Sequence, residues 1–268
     1  MPANLPLVIG HRGASALLPE NTMESLKLAF NTHGADMIEF DVHLSRDGIP
    51  VVIHDETLER TTNGQGEVAK HTLKELKALD AGYWFDPAKS SDFSQRGRNI
   101  EIPTLEEVFQ EFPGKKLAIE IKASSSELTR KVLDLVEKHN AVDRCTVGSL
   151  EDVVFQELRR IPAPTKIFTS RKAVLRLLAE YYLRRQSPRQ DPKLVASLPV
   201  KNKFFDLKKN AWIDWLHRKN MTVYYWTVND PELMLELARR GADGIMSDDP
   251  GLLKRTLARG CGTAPSSV

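Results

Sequence analysis

Residues 222–259 read TVYYWTVNDPELMLELARRGADGIMSDDPGLLKRTLAR, and one pattern occurs twice inside them. Thr222 to Val228 is a run of β-branched and aromatic residues, the composition of a strand. Asp230 and Pro231 then open a helical pattern to Arg240, with proline in the first turn, where its missing N–H has no partner to lose. The pattern begins again with a short apolar strand from Gly244 to Ser247, followed by a helical run from Pro250 to Arg259. Strand, helix, strand, helix is the rhythm of a parallel sheet with helical crossovers.

The same rhythm runs back to the start of the 268-residue chain. Further strands are predicted at Leu7-Val8-Ile9, Met37 to Ser45, Lys116 to Lys122, Cys145 to Leu150, Thr165 to Thr169 and Leu194 to Val200. Helical patterns lie at about Thr22 to His33, Glu127 to His139, Asp152 to Arg160, Arg171 to Arg184 and Leu207 to Lys219. Eight βα units in about 260 residues match a closed (β/α)8 TIM barrel of the α/β class, whereas a doubly wound sheet would need no eighth unit. Asp47-Gly48 turns the second unit back through Pro50 to Ile53 as a hairpin. The polar, Gly-rich stretch from Asp55 to Arg98 is longer than a crossover requires. The expected organisation is thus one barrel domain over residues 1–268 with an insertion at about 55–100. Gly64 to Ala69 has the glycine spacing of a dinucleotide fingerprint, but no strand directly precedes it, so it reads as loop.

Composition narrows the function. With 38 Lys+Arg against 36 Asp+Glu, a net charge of +2, 41% hydrophobic and 28% charged residues, the chain is an ordinary globular protein with no general attraction for nucleic acid. Cys145 and Cys261 are far apart and support neither a disulfide framework nor a cysteine zinc site, which fits a reducing compartment. No signal peptide and no apolar run of about 18 residues is evident, so a soluble, cytoplasmic protein is expected. The residues from Gly260 onward read as a small-residue tail.

In a barrel the strand C-termini share one face, and polar residues there build the site. Strand one ends in His11-Arg12-Gly13, strand two carries Glu39 and Asp41, the hairpin ends in His54-Asp55, strand three carries Glu120 and Lys122, and a later strand carries Trp226. Residues two apart on a strand face the same way, so Glu39 and Asp41 stand side by side within an apolar run. Such a pair is costly to bury unless something neutralises it. An ion-pair layer with Arg12 and Lys122 is one answer. A hard divalent metal held by the oxygens of Glu39, Asp41 and Glu120, either Mg²⁺ or Ca²⁺, is the better one. His11 and His54, aimed at the same cluster, read as an acid and base pair. Arg12 and Lys122 supply contacts for an anionic phosphoryl group. The histidines at 33, 43, 71, 139 and 217 read as surface residues, with His43 the nearest to the barrel mouth. Asn21 reads as a helix N-cap, with Glu24 completing a capping box. No G-x-S-x-G, H-E-x-x-H or Walker A motif is present.

Taken in order, His11-Arg12-Gly13, Pro19-Glu20-Asn21-Thr22, Glu39-Phe40-Asp41-Val42, Asp47-Gly48, His54-Asp55, Pro103-Thr104-Leu105, Glu120-Ile121-Lys122 and Trp226-Thr227-Val228-Asn229 resemble the motif series of the glycerophosphodiester phosphodiesterase family. Gly241 to Ile245, before Ser247-Asp248 and Pro250, resembles its eighth strand. The resemblance covers about residues 7 to 258. It implies a (β/α)8 barrel and metal-dependent cleavage of a glycerol phosphodiester to an alcohol and sn-glycerol 3-phosphate. It also implies metal ligation by Glu39, Asp41 and Glu120, acid-base work by His11 and His54, phosphate contacts from Arg12 and Lys122, and a lining role for Trp226. The implied mechanism has the glycerol 2-hydroxyl attack phosphorus and water then open the cyclic phosphate. The match weakens between Arg171 and Asn202, a region similar to the branch that cleaves lysophospholipids in lysophospholipase D fashion. There a basic amphipathic helix, Arg171 to Arg184, runs into Arg185 and Arg189. Packing of its apolar positions, Val174, Leu177, Leu178, Tyr181 and Tyr182, against the barrel is favoured over contact with a membrane surface. A catalytically silent phosphate-binding barrel is the remote alternative.

Overall fold

Residue alternation decides where every strand points. In strand β2 (Met37–Leu44), Ile38, Phe40 and Val42 enter the large apolar cluster, while Met37 joins a separate apolar group with Ile9, Ala118, Phe168, Val195, Tyr224 and Met246. Period-two alternation therefore aims Met37, Glu39 and Asp41 to one side and the aliphatic residues to the other. The same division holds in β1 (Leu7–His11), with Val8 outward and Ile9 inward, and in β4 (Lys116–Ile121), with Leu117, Ile119 and Ile121 outward and Ala118 inward.

This computed structural model describes residues 5–161, 165–184, 190–200 and 206–260. Beyond the strands above come β5 (Cys145–Gly148), β6 (Lys166–Phe168), β7 (Leu194–Pro199), β8 (Thr222–Trp226) and β9 (Gly244–Ser247). Strand β3 (Pro50–Val52) pairs antiparallel with β2 as the predicted hairpin, Val42 opposite Val52. The sheet order β1-β9-β8-β7-β6-β5-β4-β2-β3, with an additional β1–β2 pairing, closes eight parallel strands into a barrel and leaves β3 outside it. Closure runs through Ile9 opposite Met37 and His11 opposite Glu39. The interior is thus apolar at the level of Ile9 and becomes polar at the strand ends.

The helices are α1 (Met23–Lys27), α2 (Leu73–Lys77), α3 (Leu105–Glu111), α4 (Ser126–Lys138), α5 (Asp152–Arg160), α6 (Arg171–Tyr182), α7 (Asn210–Arg218), α8 (Pro231–Arg239) and α9 (Pro250–Gly260). Apart from α2, whose Leu76 packs in a separate cluster, their buried faces, such as Leu128, Val132 and Val136 of α4, cover the outward side of the strands. Each fully buried aliphatic side chain contributes about 1.5–3 kcal/mol of transfer free energy.

Three sequence expectations need correction. The single helix from Thr22 to His33 is α1 followed by a wider π-helical turn, Leu28–Thr32. Its N-cap is Thr22, whose hydroxyl accepts from the Ser25 N–H, and not Asn21. Asn21 sits one residue outside with a left-handed φ of 58°, because its amide is drawn to Asp41. Helix α3 was not anticipated, although Thr104 and Glu107 form the reciprocal capping box that marks its start. The third correction concerns His43, which is buried and not a surface residue.

Between β3 and α3, Leu58, Val68, Leu76, Ala81, Ile100 and Ile102 pack with Val51 and Ile53 into an apolar cluster of their own. Gly64 to Ala69 forms loop and one 3-10 turn there, with no strand leading into a helix. In α6, Val174, Leu177 and Leu178 are buried and Tyr181 packs on Trp212 and Trp215, while Tyr182 remains exposed. The apolar stripe of this helix is therefore mostly spent on the barrel. Arg185 and Arg189 lie outside the described residues, as do Cys261 and the tail after Gly260; Cys145 is buried. Among the described residues, no helix is long and apolar enough to cross a membrane.

Candidate active site

Glu39, Asp41 and Glu120 end up together because β2 and β4 are paired neighbours in register, Asp41 opposite Glu120. One ligand oxygen from each lies within 4.8 Å of the others. Arg12 reaches Asp41 through Nε at 3.2 Å, and its backbone N–H donates to Glu39 at 3.2 Å. Lys122 Nζ lies 3.1 Å from Glu120 and 3.6 Å from Asp41. Asn21 donates to Asp41 Oδ2 at 3.0 Å, and its own Oδ1 accepts from the Asp41 backbone N–H at 3.2 Å.

The electrostatics separate the two sequence readings of this trio. Despite its burial, Asp41 is held below the usual carboxylate range by Arg12 and Lys122. Glu39, by contrast, is pushed up to about 8 by burial and by the charge of Asp41, and Glu120 is raised by the same two causes. The cations therefore satisfy Asp41 but leave Glu39 and Glu120 short of compensation. Arg12 and Lys122, two cations, do not by themselves match three carboxylates. An all-oxygen donor set with excess negative charge fits a hard divalent cation.

Two imidazoles flank this cluster. His11 Nδ1 hydrogen-bonds Asp248 Oδ1 at 2.7 Å, and its Nε2 lies 3.9 Å from Glu39. Asp248 is itself held by Ser15 and by Asn229. Burial alone would lower the pKa of His11, but the Asp248 hydrogen bond and the Glu39 charge outweigh it and raise the pKa. His54 Nδ1 meets Asp55 at 2.5 Å, and its Nε2 lies 3.1 Å from Lys122 Nζ. His43 Nε2 bonds the carbonyl of His54 at 3.0 Å, so this buried histidine supports the His54 backbone from behind. Its pKa is lowered by burial.

These groups line a cavity of about 250 Å³ at the strand ends. His11, Arg12, Glu39, His54, Glu120 and Lys122 form one wall. Trp226 and Phe168, with Ser149, Thr169 and Ser197, form the other. The backbone is bent to suit: Arg12 has φ 54°, and Gly13 has φ 90° with no room for a Cβ, which would fall 2.7 Å from the Ser25 carbonyl carbon. Left-handed backbone at a non-glycine residue costs of order 1–3 kcal/mol and tends to cluster at functional sites.

All eight residues singled out in the sequence converge on this cluster. Sequence reasoning passed over the supporting groups. Asn21 has the local pattern of a cap, and Asp248, 237 positions from His11, carries no local signal. If Asp248 sets the state of His11, Asp248→Asn removes a charge that favours imidazolium, and the His11 pKa must fall. NMR titration of the ring should show that downward shift, with turnover at least ~10-fold lower from the weakened hold on the tautomer. An unchanged or raised pKa would contradict the assignment.

The chain matches the model of the glycerophosphoryl diester phosphodiesterase family over residues 11–252. It is 31% identical over 259 residues to a glycerophosphodiester phosphodiesterase of Caldanaerobacter subterraneus subsp. tengcongensis, covering 95% of this chain and 98% of that one. A lysophospholipase D of Homo sapiens is 25% identical, with 92% and 84% covered. Among solved structures, a phosphodiesterase of Oleispira antarctica in complex with the product sn-glycerol-3-phosphate superposes with a TM-score of 0.76 at 28% identity, covering 94% of this chain and 97% of that one. A domain from Mycobacterium tuberculosis superposes with a TM-score of 0.84 at 23% identity over 96% of this chain and 100% of that one, which shows the shared fold. These likenesses define an enzyme class, the phosphoric diester hydrolases. Within it, the chain belongs to the glycerophosphoryl diester phosphodiesterase family.

Proposed function

We propose that this protein hydrolyses glycerophosphodiesters to an alcohol and sn-glycerol 3-phosphate, using two histidines and one divalent ion, Mg²⁺ or Ca²⁺, held by Glu39, Asp41 and Glu120. The observation that carries this reading is the under-compensated carboxylate trio flanked by two carboxylate-anchored imidazoles. A bound ion there would polarise the phosphoryl oxygen and lower the pKa of a coordinated hydroxyl.

The protein's own groups divide the remaining work. Arg12 and Lys122 face the cavity and bring positive charge to the phosphoryl oxygens. Lys122 as an ammonium can only donate, so His54 Nε2 accepts and Nδ1–H donates to Asp55. Once Lys122 turns to a phosphoryl oxygen, the freed Nε2 lone pair of His54 takes the proton of the glycerol 2-hydroxyl as that oxygen attacks phosphorus. His11, with its raised pKa, gives a proton to the departing alcohol oxygen. In the second half the roles reverse. Neutral His11 takes a proton from water, whose oxygen attacks the cyclic phosphate, and His54 returns its proton to the glycerol 2-oxygen. Trp226 and Phe168 wall the cavity and limit water.

The likeness to a lysophospholipase D supports a second reading, in which the glycerol carries an acyl chain. Against it stands the burial of Val174, Leu177 and Leu178 in α6. Turnover of glycerophosphocholine or glycerophosphoethanolamine compared with lysophosphatidylcholine distinguishes the two. Strong preference for the water-soluble diesters supports the first reading, and preference for the lysophospholipid replaces it with the second.

A further inference from the structure

Arg60 has no part in the chemistry above, yet its guanidinium is one of the most fully engaged groups near the site. Nη1 and Nη2 donate to the two oxygens of Glu20 at 2.8 and 2.7 Å. Nε and Nη2 donate to the two oxygens of Asp55 at 2.5 and 3.2 Å. Both carboxylates hand the contact on. Glu20 Oε1 accepts from Arg12 Nη1 at 2.7 Å, and Asp55 Oδ1 holds His54 Nδ1.

The chain of contacts then closes on itself. Arg12 reaches Asp41, His54 meets Lys122, and Lys122 approaches the other oxygen of Asp41. The ring therefore runs Asp41, Arg12, Glu20, Arg60, Asp55, His54, Lys122 and back to Asp41. Its outermost member is carried by a turn of the inserted segment, in which Thr62 N–H and Oγ1 both donate to the Leu58 carbonyl. Leu58 is fully buried in the apolar cluster of that segment, which anchors the turn.

We propose that Arg60 is a positioning residue: by gripping Glu20 and Asp55 together it fixes the phosphate-facing Arg12 and the imidazole of His54 in one frame, coupling the inserted segment to catalysis. This rests on the function proposed above. The physical case is one of geometry and not of stability. Arg60 is 46% exposed, and ion pairs at that exposure contribute little to folding. Orientation is more sensitive, since displacing a catalytic group by about 1 Å can cost on the order of 100-fold in rate. Only a planar guanidinium can form two carboxylate forks at once. A lysine at position 60 would keep the charge but lose the frame.

The experiment uses the metal-loaded, full-length protein and glycerophosphocholine. Arg60→Gln should lower kcat at least ~10-fold with little change in KM, at an almost unchanged melting temperature. Arg60→Lys should recover only a minor part. Guanidinium ion at low millimolar concentration should restore activity to Arg60→Ala where ammonium does not. In a Glu20→Gln, Asp55→Asn background, Arg60→Gln should add no more than ~2-fold, because both partners through which it acts have already been weakened. A readout independent of turnover is the hydrogen-bonded Nδ1 proton of His54, assigned by its loss in His54→Ala, which should shift or broaden in Arg60→Gln. Folded Arg60→Gln with wild-type kcat and an unmoved His54 proton overturns the proposal, as does full additivity with the Glu20→Gln, Asp55→Asn pair. Wild-type protein inert toward glycerophosphodiesters would instead overturn the proposed function.

Discussion

Replacing His54 by alanine is expected to lower turnover of a glycerophosphodiester at least ~100-fold, and His11→Ala by a similar factor, the usual loss when a positioned acid or base is removed. Each imidazole has one nitrogen fixed by a carboxylate, Asp55 for His54 and Asp248 for His11, and the other turned to the cavity. A water cannot be held in the same place with the same pKa. The rings are partly exposed, so the variants should remain folded, which circular dichroism would verify. If, as proposed, each histidine serves in both half-reactions, the double variant should be little worse than either single one. A folded single variant with wild-type turnover would remove that histidine from the mechanism.

Why the sequence revealed some of this site and concealed the rest follows from the range of the interactions. Glu39 and Asp41 were legible because two acids at period two inside an apolar strand have no cheap structural explanation. The barrel was legible because each βα unit repeats a local pattern, so Pro231–Arg239 and Gly244–Ser247 could be read almost to the residue. What was hidden depends on contacts between distant segments. Asn21 has the local pattern of a cap, and only the approach of β2 turns its amide to Asp41. Asp248 becomes the partner of His11 only when β9 closes against β1. Helix α3 was overlooked for a different reason: its capping signal at Thr104 and Glu107 is present, but the long polar insertion before it obscured the crossover to which it belongs.

Removing the divalent ion should abolish activity and should also reveal the charge stored in the trio. The pKa of Glu39 in the metal-free protein is about 8, against an ordinary 4.5, so the folded state holds a proton that the unfolded chain releases. A raised pKa contributes stability that is complete below the unfolded value and is lost as pH rises through the folded one. His11, also raised, acts in the same direction. The stripped protein should therefore melt at progressively lower temperature between about pH 5 and 9. With an ion bound, ionised Glu39 is the favoured form, so the Glu39 part of that slope should vanish. A saturating ligand at 100 times its Kd adds about 2.7 kcal/mol of stability. The decisive measurement is the release of sn-glycerol 3-phosphate from glycerophosphocholine by stripped protein, followed as Mg²⁺ or Ca²⁺ is titrated back. No product is expected without metal, and turnover should saturate at one ion per chain. Full turnover by the stripped protein, or none with either ion, would contradict the proposed function.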